Sequence, residues 1–288
     1  MVCVVAVLFK VVGLVARIDQ KEAVKLAEKL MPHVENKGVS VFLELNLAKR
    51  AKKIASALRL EEMKVDLIIT IGGDGTILRT CLRIPKPEPP ILAINMGVRG
   101  FLTEVTPEEA IEAVDRCLEG KFGLERCTKL SSFIGEEKLP DALNEVFITS
   151  RTPAKLLHTR IWRDDVAVGE CRSDGVVVAS QVGSTGYSLS GGGPVLDPEL
   201  EAFVLTPICP LTVFHPIVFS AKSKIGIELL KPERAAVVVD GHYQTEMGAN
   251  KNRVKITKSE YESSFVRFDS DFYRRLKARL LFPRGEGI

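Results

Sequence analysis

The chain has 288 residues, 45% of them hydrophobic, and its 40 lysines and arginines against 37 aspartates and glutamates leave a net charge of +3. This length predicts two domains, or one large core with an appendage. The basic residues are scattered rather than gathered into runs, so we expect neither nucleic-acid binding nor attachment to a membrane surface. No apolar stretch approaches the roughly 20 residues that cross a bilayer, which predicts a soluble protein.

The six cysteines form no CxxC pair and lie mostly in apolar sequence. Reduced thiols of an intracellular protein show this pattern, so we expect a cytoplasmic location and neither a disulfide framework nor a cysteine metal site. The apolar N-terminal run has no basic residue before it and is interrupted by Lys10 and Arg17. This pattern disfavours a secretory signal peptide.

Apolar strands alternate with helices in the first part of the chain. The predicted strands are residues 2–9, 39–43, 65–71 and 91–95. The predicted helices are residues 20–33, 47–60 and 106–118. Asp19 and Thr106 are the expected N-caps of the first and third helices, and Gly120 lies past the end of the third. Continuous apolar strands between helices are typical of a parallel sheet covered on both faces.

The sequence changes in character from about Lys129 onward. Short runs rich in Val, Ile and Phe, separated by Gly, Pro and Asp, predict an all-β region. The predicted strands there are residues 145–149, 155–162, 175–179, 217–220 and 235–239. Residues 269–282 return to helical spacing. We therefore predict an α/β domain over residues 1–128, a β-rich domain over 129–267 and a C-terminal helical segment over 268–288 that could pack back onto the first domain.

A predicted buried strand ends in a glycine-rich turn in the sequence LIITIGGDGTILRT, residues 67–80. The turn consists of Gly72, Gly73, Asp74, Gly75 and Thr76. In open parallel sheets, ligands bind beyond the carboxyl ends of the strands, where helix N-termini attract anions and glycines let a phosphate approach the backbone. Thr76 could cap a helix that begins at Ile77. Because a carboxylate repels phosphate, Asp74 needs either an intervening metal ion or a substrate hydroxyl whose proton it accepts.

A purely structural interpretation of the same turn is also open, in which Asp74 makes an Asx turn that the glycines tighten. Two familiar phosphate motifs fit less well. A P-loop would need GxxxxGK[ST], and the segment has no lysine; a dinucleotide fingerprint would need a third glycine where this chain has Leu78.

A second polar segment, residues 172–197, reads RSDGVVVASQVGSTGYSLSGGGPVLD. A strand is followed there by a loop that can present backbone N–H groups, hydroxyls and one aromatic ring to a nucleotide. The alternative, a flexible linker, is disfavoured by the apolar residues on both sides. Asn144 and Glu145 stand at the head of another apolar run; alone they are typical of a turn, but with the other segments they could bind ribose hydroxyls.

Together, GGDGT at 72–76, NE at 144–145 and SDG through GSTGYSLSGGGP at 173–194 resemble the NAD kinases in order and spacing. NMGVRGFLTE at 95–104 is similar to that family's N-G-x-x-GFL segment. The resemblance implies transfer of a phosphoryl group from ATP, or from polyphosphate, to the 2′-hydroxyl of the adenosine ribose of NAD, giving NADP, with a divalent metal ion such as Mg²⁺. It also implies a Rossmann-like N-terminal domain, a β-sandwich-like C-terminal domain and a homodimer or homotetramer.

The resemblance assigns Asp74 the role of catalytic proton acceptor. It implies that the nucleotides are bound by Gly72, Gly73, Gly75, Thr76, Arg79, Asn144, Glu145, Lys155, Arg172, Asp174, Thr185, Gly186, Tyr187, Ser188, Leu189, Ser190, His242 and Gln244. The chain departs from the family pattern at Val182, His215 and His242, which bear on how the acceptor is held rather than on the class of reaction.

Two other functions stay open at this point. A lipid or small-alcohol kinase can share GGDGT, although the polar 183–194 loop disfavours an apolar acceptor. A regulator that binds NAD or NADP without turnover would have no need of Asp74.

Overall fold

The structure, a computed structural model, describes residues 9–97, 100–152, 154–248, 250–268 and 272–277. The chain divides into two compact units, unit 1 with residues 1–126 and 263–288 and unit 2 with residues 127–262. The domain ranges given above stay a prediction. Within the described ranges, no helix combines the length and the apolar character that crossing a membrane requires.

Unit 1 is built on a parallel sheet. Its first five strands are β1 Val11–Ala16, β2 Ser40–Glu44, β3 Ala57–Leu58, β4 Leu67–Gly72 and β5 Ile91–Asn95. The helices between and after them are α1 Lys21–Glu35, α2 Leu45–Arg50, α3 Asp74–Arg83 and α4 Ala110–Leu118. The strand order is β5-β4-β1-β2-β3 with every neighbouring pair parallel, as the α/β prediction requires.

The core of unit 1 lies between this sheet and its helices. Every residue of β4 and β5 is buried, and Leu30 of α1 and Val114 of α4 are fully buried in the same apolar cluster as Leu14 of β1. Burial of side chains of this size stabilises a fold by about 1.5–3 kcal/mol each. The continuous apolar strands of the sequence therefore correspond to a sheet that is covered on both faces.

The predicted helix over residues 47–60 is wrong in its extent, because α2 ends at Arg50. Lys52 adopts a left-handed backbone conformation, φ 56°, and the N–H of Lys53 donates to the carbonyl oxygen of Ala48 at 2.9 Å. A left-handed residue just past a helix is a common helix terminus. Residues 54–62 instead form two 3₁₀ turns around β3.

Two of the predicted N-caps are also wrong. The carboxylate of Asp19 pairs with the guanidinium of Arg17 at 2.8 Å rather than with the start of α1. Helix α4 begins at Ala110, four residues after Thr106, whose N–H donates to Oε2 of Glu109 at 2.8 Å. The end of α4 is as predicted, since Gly120 follows it with φ 72°.

Unit 2 consists mainly of antiparallel strands. The first and last of its strands extend into unit 1. From residue 123 onward the strands are β6 Gly123–Ile134, β7 Glu137–Lys138, β8 Glu145–Thr149, β9 Leu157–Arg163, β10 Val166–Ser173, β11 Gly175–Ala179, β12 Ala202–Ile208, β13 Ile217–Ser220, β14 Ile225–Lys231, β15 Arg234–Val239, β16 Tyr243–Gly248 and β17 Arg253–Arg267. The short helix α5 spans Tyr187–Ser190. Three predicted strands, 145–149, 175–179 and 217–220, are confirmed residue for residue.

Two sheets organise unit 2. The first is six-stranded and antiparallel in the order β13-β12-β11-β8-β15-β16. The second contains the antiparallel run β10-β9-β14-β17. This arrangement confirms the predicted β-sandwich-like character of the C-terminal domain.

The chain ends within unit 1. The last residues of β17 pair in parallel with β5 through Phe265 and Ile91, and helix α6 spans Phe272–Leu276. The ring of Phe272 lies 5.8 Å from that of Phe101. Most of the predicted helix over 269–282, and the predicted strand over 2–9 apart from Phe9, lie outside the described residues.

Candidate functional site

Asp74 is the first residue of α3, directly after the buried strand β4. Since β4 lies between β1 and β5, the carboxylate stands beyond the carboxyl end of a central parallel strand, where α/β proteins bind ligands. The N-cap residue Gly73 is extended, φ −112° and ψ −172°. The prediction that Thr76 caps a helix starting at Ile77 is wrong, because Thr76 already lies in the first turn and is buried.

The carboxylate of Asp74 is held by the backbone of the GFL segment. The N–H of Phe101 donates to Oδ2 at 2.9 Å and the N–H of Leu102 to Oδ1 at 3.2 Å. A methyl group on Gly100 would overlap Oδ1 of Asp74, so any other residue there would displace the carboxylate. None of these three residues was among the predicted site residues, although the family-like segment 95–104 contains them.

The glycines around Asp74 differ in their surroundings. A methyl group on Gly72 would overlap the hydroxyl of Thr76, so Gly72 is needed for the turn itself. A methyl group on Gly73 or Gly75 would meet no heavy atom of the described residues within 4 Å. Backbone next to Asp74 is therefore open to an anion at these two glycines, while Gly72 serves packing.

Arg79 lies one turn further along α3 and is half-buried. Its Nη1 lies 3.8 Å from Oε1 of the buried Glu44, whose other oxygen accepts the N–H groups of Asn46 and Leu47 at 3.1 and 3.2 Å. The guanidinium thus has a partner inside unit 1. Contact between Arg79 and a phosphate stays a prediction.

In unit 2, Asn144 and Glu145 stand at the start of β8, where the buried Asp240 fixes their backbone. Its carboxylate accepts the N–H groups of Leu143, Asn144 and Glu145 at 2.7, 2.8 and 2.9 Å. The N–H of Asp240 in turn donates to the carbonyl oxygen of Glu145 at 3.0 Å. Asp240 is 3% exposed and has φ 48°, and it was not among the predicted site residues.

The glycine-rich loop after β11 approaches the same pair. A methyl group on Gly183 would overlap the carbonyl of Asn144, and one on Gly186 would lie 3.4 Å from Nδ2 of Asn144 and from Oε2 of Glu145. The N–H of Ser180 donates to the carbonyl oxygen of Asn144 at 2.8 Å. The structure therefore brings together three predicted site residues, Asn144, Glu145 and Gly186.

Three buried acceptor atoms in these segments have no hydrogen-bond partner among the described residues: Oδ1 of Asn144, Oε2 of Glu145 and Oε1 of Gln181. Buried polar atoms in proteins nearly always have a partner. A ligand with several donors, such as a nucleoside, would satisfy them. Gln181 was not predicted as a site residue, and its long polar side chain beside the GST turn is the signal that could have indicated it.

Burial and the nearby carboxylate of Asp240 raise the pKa of Glu145 to about 8. Burial also raises the pKa of Asp240, against the three backbone N–H groups and Lys129, which lower it. At neutral pH one proton is therefore held on this pair, and Glu145 holds it because its Oε2 lacks the donors that Asp240 has.

The other residues of the loop divide into internal and outward-facing ones. The hydroxyl of Thr185 donates to the carbonyl oxygen of Val182 at 2.9 Å, and the hydroxyl of Ser188 lies 2.8 Å from that of Thr206. Tyr187 is 42% exposed, with its ring edge-on to Phe147 at 5.1 Å. Leu189 is half-buried and Ser190 is exposed.

Arg172 and Asp174 precede the other end of β11. Gly175 pairs with Thr149 whereas Ala179 pairs with Glu145, so the two ends of this strand pair are about 13 Å apart at 3.3 Å per residue. Both side chains are exposed. An extended ligand along β8 and β11 would be needed to contact Asp174 and Glu145 together.

The remaining predicted residues lie in two places. Lys155 lines a cavity of about 1070 Å³ together with Arg151, Lys231 and Arg234, away from Asn144. His242 and Gln244 are exposed and follow directly on the turn at Asp240. His242 follows Asp240, which anchors the backbone of Asn144, by two residues, while Lys155 lines a cavity that does not include Asn144.

Comparison with known proteins assigns both units. The N-terminal domain of ATP-NAD kinases matches residues 12–122, and the C-terminal domain of ATP-NAD kinases matches residues 143–268. The NAD kinase of Methanothermobacter thermautotrophicus is 44% identical over 94% of this chain and 96% of its own length, and that of Thermococcus gammatolerans is 42% identical over 93% and 98%.

Two solved structures are similar as well. An NAD kinase from Archaeoglobus fulgidus in complex with ATP is 31% identical with a TM-score of 0.78, covering 93% of this chain and 99% of its own. Yeast NADH kinase complexed with NADH is 21% identical with a TM-score of 0.86, covering 96% and 90%, and supports the fold. The two domain matches and the identity of these relatives show that the chain belongs to the NAD kinase family.

Proposed function

We propose that this protein transfers the γ-phosphoryl group of ATP to the 2′-hydroxyl of the adenosine ribose of NAD, giving NADP and ADP. The observation that carries the proposal is the carboxylate of Asp74, oriented by two backbone N–H groups next to the open backbone of Gly73 and Gly75. Family membership supports the identity of both substrates.

Asp74 is the proton acceptor in this proposal. A ribose hydroxyl is a weak nucleophile, so the enzyme contributes alignment with the phosphorus atom and removal of the proton as the new P–O bond forms and the bond to ADP breaks. The hydrogen bonds from Phe101 and Leu102 hold the carboxylate in one orientation. The N-terminal end of α3 carries the partial positive charge of a helix terminus, which attracts phosphates.

Unit 2 supplies the acceptor-binding residues. The buried acceptors of Asn144 and Gln181 suit amino and hydroxyl donors of a nucleoside. Glu145, protonated at neutral pH, adds one O–H donor to this set. Tyr187 offers an exposed ring face for stacking, and Asp174, Arg172, His242 and Gln244 stay predicted contacts.

For the described residues, the arrangement of side chains suits a divalent metal that arrives as an ion carried by the donor. The described residues contain no group of three or more His, Cys, Asp or Glu side chains placed to hold a metal. Mg²⁺ commonly binds through substrate phosphates and one or two carboxylates, and Asp74 is the carboxylate at the proposed phosphate site. When bound, Mg²⁺ would neutralise charge on the transferred phosphoryl group.

We expect Asp74→Asn to lower the rate of NADP formation by about 10²–10⁴-fold, because the amide keeps the size of the side chain but cannot accept the proton. The rate is measured with ATP, Mg²⁺ and NAD, and folding by circular dichroism. Asp165→Asn, at an exposed position in unit 2, is the matched control and should stay near the wild-type rate. Near-normal turnover by Asp74→Asn would remove Asp74 from the mechanism.

Glu145 should make folding stability depend on pH. Below about pH 4.5 the Glu145 carboxyl group is protonated in both the folded and the unfolded protein. Between about pH 4.5 and about pH 8 it is ionised in the unfolded chain but stays protonated in the folded protein. Stability attributable to Glu145 is therefore present at low pH and lost as pH rises through about 8.

Glu145→Gln has no ionisable group at this position, so its free energy of unfolding should not show this pH dependence. Between about pH 4.5 and about pH 8, the free energy of unfolding of the variant should therefore rise relative to that of wild type by a few kcal/mol, on the order of 1.4 kcal/mol per pKa unit. Urea unfolding at pH 5, 6.5 and 8 measures the difference. Glu136→Gln, at an exposed glutamate, should follow the wild-type curve at every pH. A constant difference between Glu145→Gln and wild type would contradict the raised pKa.

ATP with Mg²⁺ should be the productive donor, since the matched family is that of the ATP-NAD kinases. Excess EDTA should reduce NADP formation to background and added Mg²⁺ should restore it, because the uncompensated phosphate charges would repel the attacking oxygen. Parallel assays with polyphosphate as donor and NADH as acceptor define both preferences. Full activity in EDTA would contradict the metal requirement. Consumption of ATP without formation of NADP would favour a lipid or small-alcohol kinase. Binding of NAD without any consumption of ATP would favour the regulator.

The protein is proposed to form a homodimer or homotetramer through unit 2. Val166 and Val168 on β10 and Leu211 and Val213 nearby are 40–87% exposed, and the N–H of Leu211 donates to the carbonyl oxygen of Arg172 on β10. Exposed apolar groups of this kind mark interaction surfaces. Light scattering should give two or four chain masses, and Val213→Asp should lower the mass; a monomeric wild type would contradict this.

A cytoplasmic location stays a prediction.

A further inference from the structure

The backbone that holds Asp74 is itself held by a buried group of charges in unit 1. Arg267, near the end of β17, is 4% exposed. Its Nη1 donates to the carbonyl oxygen of Leu102 at 3.1 Å and to Oε2 of Glu104 at 3.1 Å, and its Nε donates to Oε2 of Glu125 at 2.5 Å. Leu102 thus donates its N–H to Asp74 and accepts from Arg267 through its carbonyl oxygen.

The residues that follow Leu102 are hydrogen-bonded to β5. The N–H of Glu104 donates to the carbonyl oxygen of Ala93 at 2.8 Å, and the N–H of Asn95 donates to that of Val105 at 2.8 Å. Oε1 of Glu104 accepts the N–H of Phe268 at 2.7 Å. Residues 102–105 are therefore fastened to β5 on one side and to the end of β17 on the other.

Among the described residues, the group contains carboxylates and guanidinium groups in contact with each other. Glu125 pairs with Arg275 at 3.2 Å as well as with Arg267, so two arginines face Glu104 and Glu125. Burial acts to raise the pKa of Glu125, but Arg267 and Arg275 outweigh it and hold that pKa below its ordinary value. The carboxylate of Glu125 therefore stays ionised and keeps its hydrogen bonds to the two arginines at neutral pH.

Stability alone is a weak reason for such a group. The desolvation of buried charges offsets much of their attraction, and apolar residues of similar volume often stabilise a core as well. What the guanidinium adds is geometry, because its planar fork can bond a carbonyl oxygen and two carboxylates in fixed directions. One of these bonds fixes the orientation of the Leu102 backbone, whose N–H donates to Asp74.

We propose that Arg267 is a positioning residue for Asp74, acting through Leu102 and Glu104. The inference rests on the proposed role of Asp74 as proton acceptor. A shift of Leu102 by about 1 Å would turn the carboxylate away from the acceptor hydroxyl, and misplacement on this scale can lower a rate by about 10²-fold.

Arg267→Lys tests the proposal because it keeps the charge but loses the fork. We expect kcat to fall about 10–100-fold, with KM for NAD and for ATP within about threefold of wild type, since neither substrate site is changed. Hydrogen exchange of a peptide covering residues 100–105 should accelerate, because the N–H groups of Phe101 and Leu102 lose fixed acceptors.

Arg275→Lys is the matched control, since Arg275 shares the partner Glu125. It should lower the melting temperature about as much as Arg267→Lys while leaving kcat within about twofold of wild type. Arg267→Met is the second variant; unchanged KM with a larger loss of kcat than in Arg267→Lys supports the proposal.

Three results would overturn it: kcat of Arg267→Lys within twofold of wild type, an equal loss in Arg275→Lys, or a rise in KM without loss of kcat. Failure of both Arg267 variants to fold would assign the residue to folding alone and also overturn it. Asp74→Asn, measured alongside, separates the two claims. If that variant is nearly as active as wild type, the proposed function of Asp74 fails; if it is inactive and Arg267→Lys is not, only this inference fails.

Discussion

In each unit, a carboxylate that accepts hydrogen bonds from successive backbone N–H groups organises the predicted site residues of that unit. Asp74 binds the N–H groups of Phe101 and Leu102, and Asp240 binds those of Leu143, Asn144 and Glu145. Such charge-assisted bonds are stronger than bonds between neutral groups. Each aspartate thereby holds a turn in one backbone conformation. The side chains proposed to act in catalysis and in acceptor binding take their positions from these two turns.

The sequence predicted best where residue type and local spacing decide the structure. Strand β5 and three strands of unit 2 were found because their sequences are rich in apolar, β-branched and aromatic residues. The extent of α2 was missed because it depends on the backbone of Lys52, φ 56°, and lysine gives no sign of this conformation. Asp240 was missed as an anchor because its partners are backbone groups almost 100 residues away in sequence, and any residue except proline carries such an N–H.

Some of the predicted nucleotide-binding residues come together in the structure, and others have different partners. Asn144, Glu145 and Gly186 come together because glycines let the loop after β11 approach β8 closely, and the sequence displays glycines openly. Arg79 and Lys155 were assigned from their charge and position, yet one pairs with Glu44 and the other lines a separate cavity. Long charged side chains reach several partners, so their contacts are set by the fold rather than by their place in a motif.

Unit 1 is discontinuous in sequence, because residues 263–288 belong with residues 1–126. Arg267, which bonds Leu102, therefore leaves the ribosome more than 160 residues after the backbone it fixes. A nascent chain that already contains the GGDGT strand and its helix still lacks the hydrogen bonds that immobilise residues 102–105. The order of synthesis thus delays completion of the proposed phosphoryl-transfer centre until after unit 2, with its proposed acceptor-binding residues, has been made.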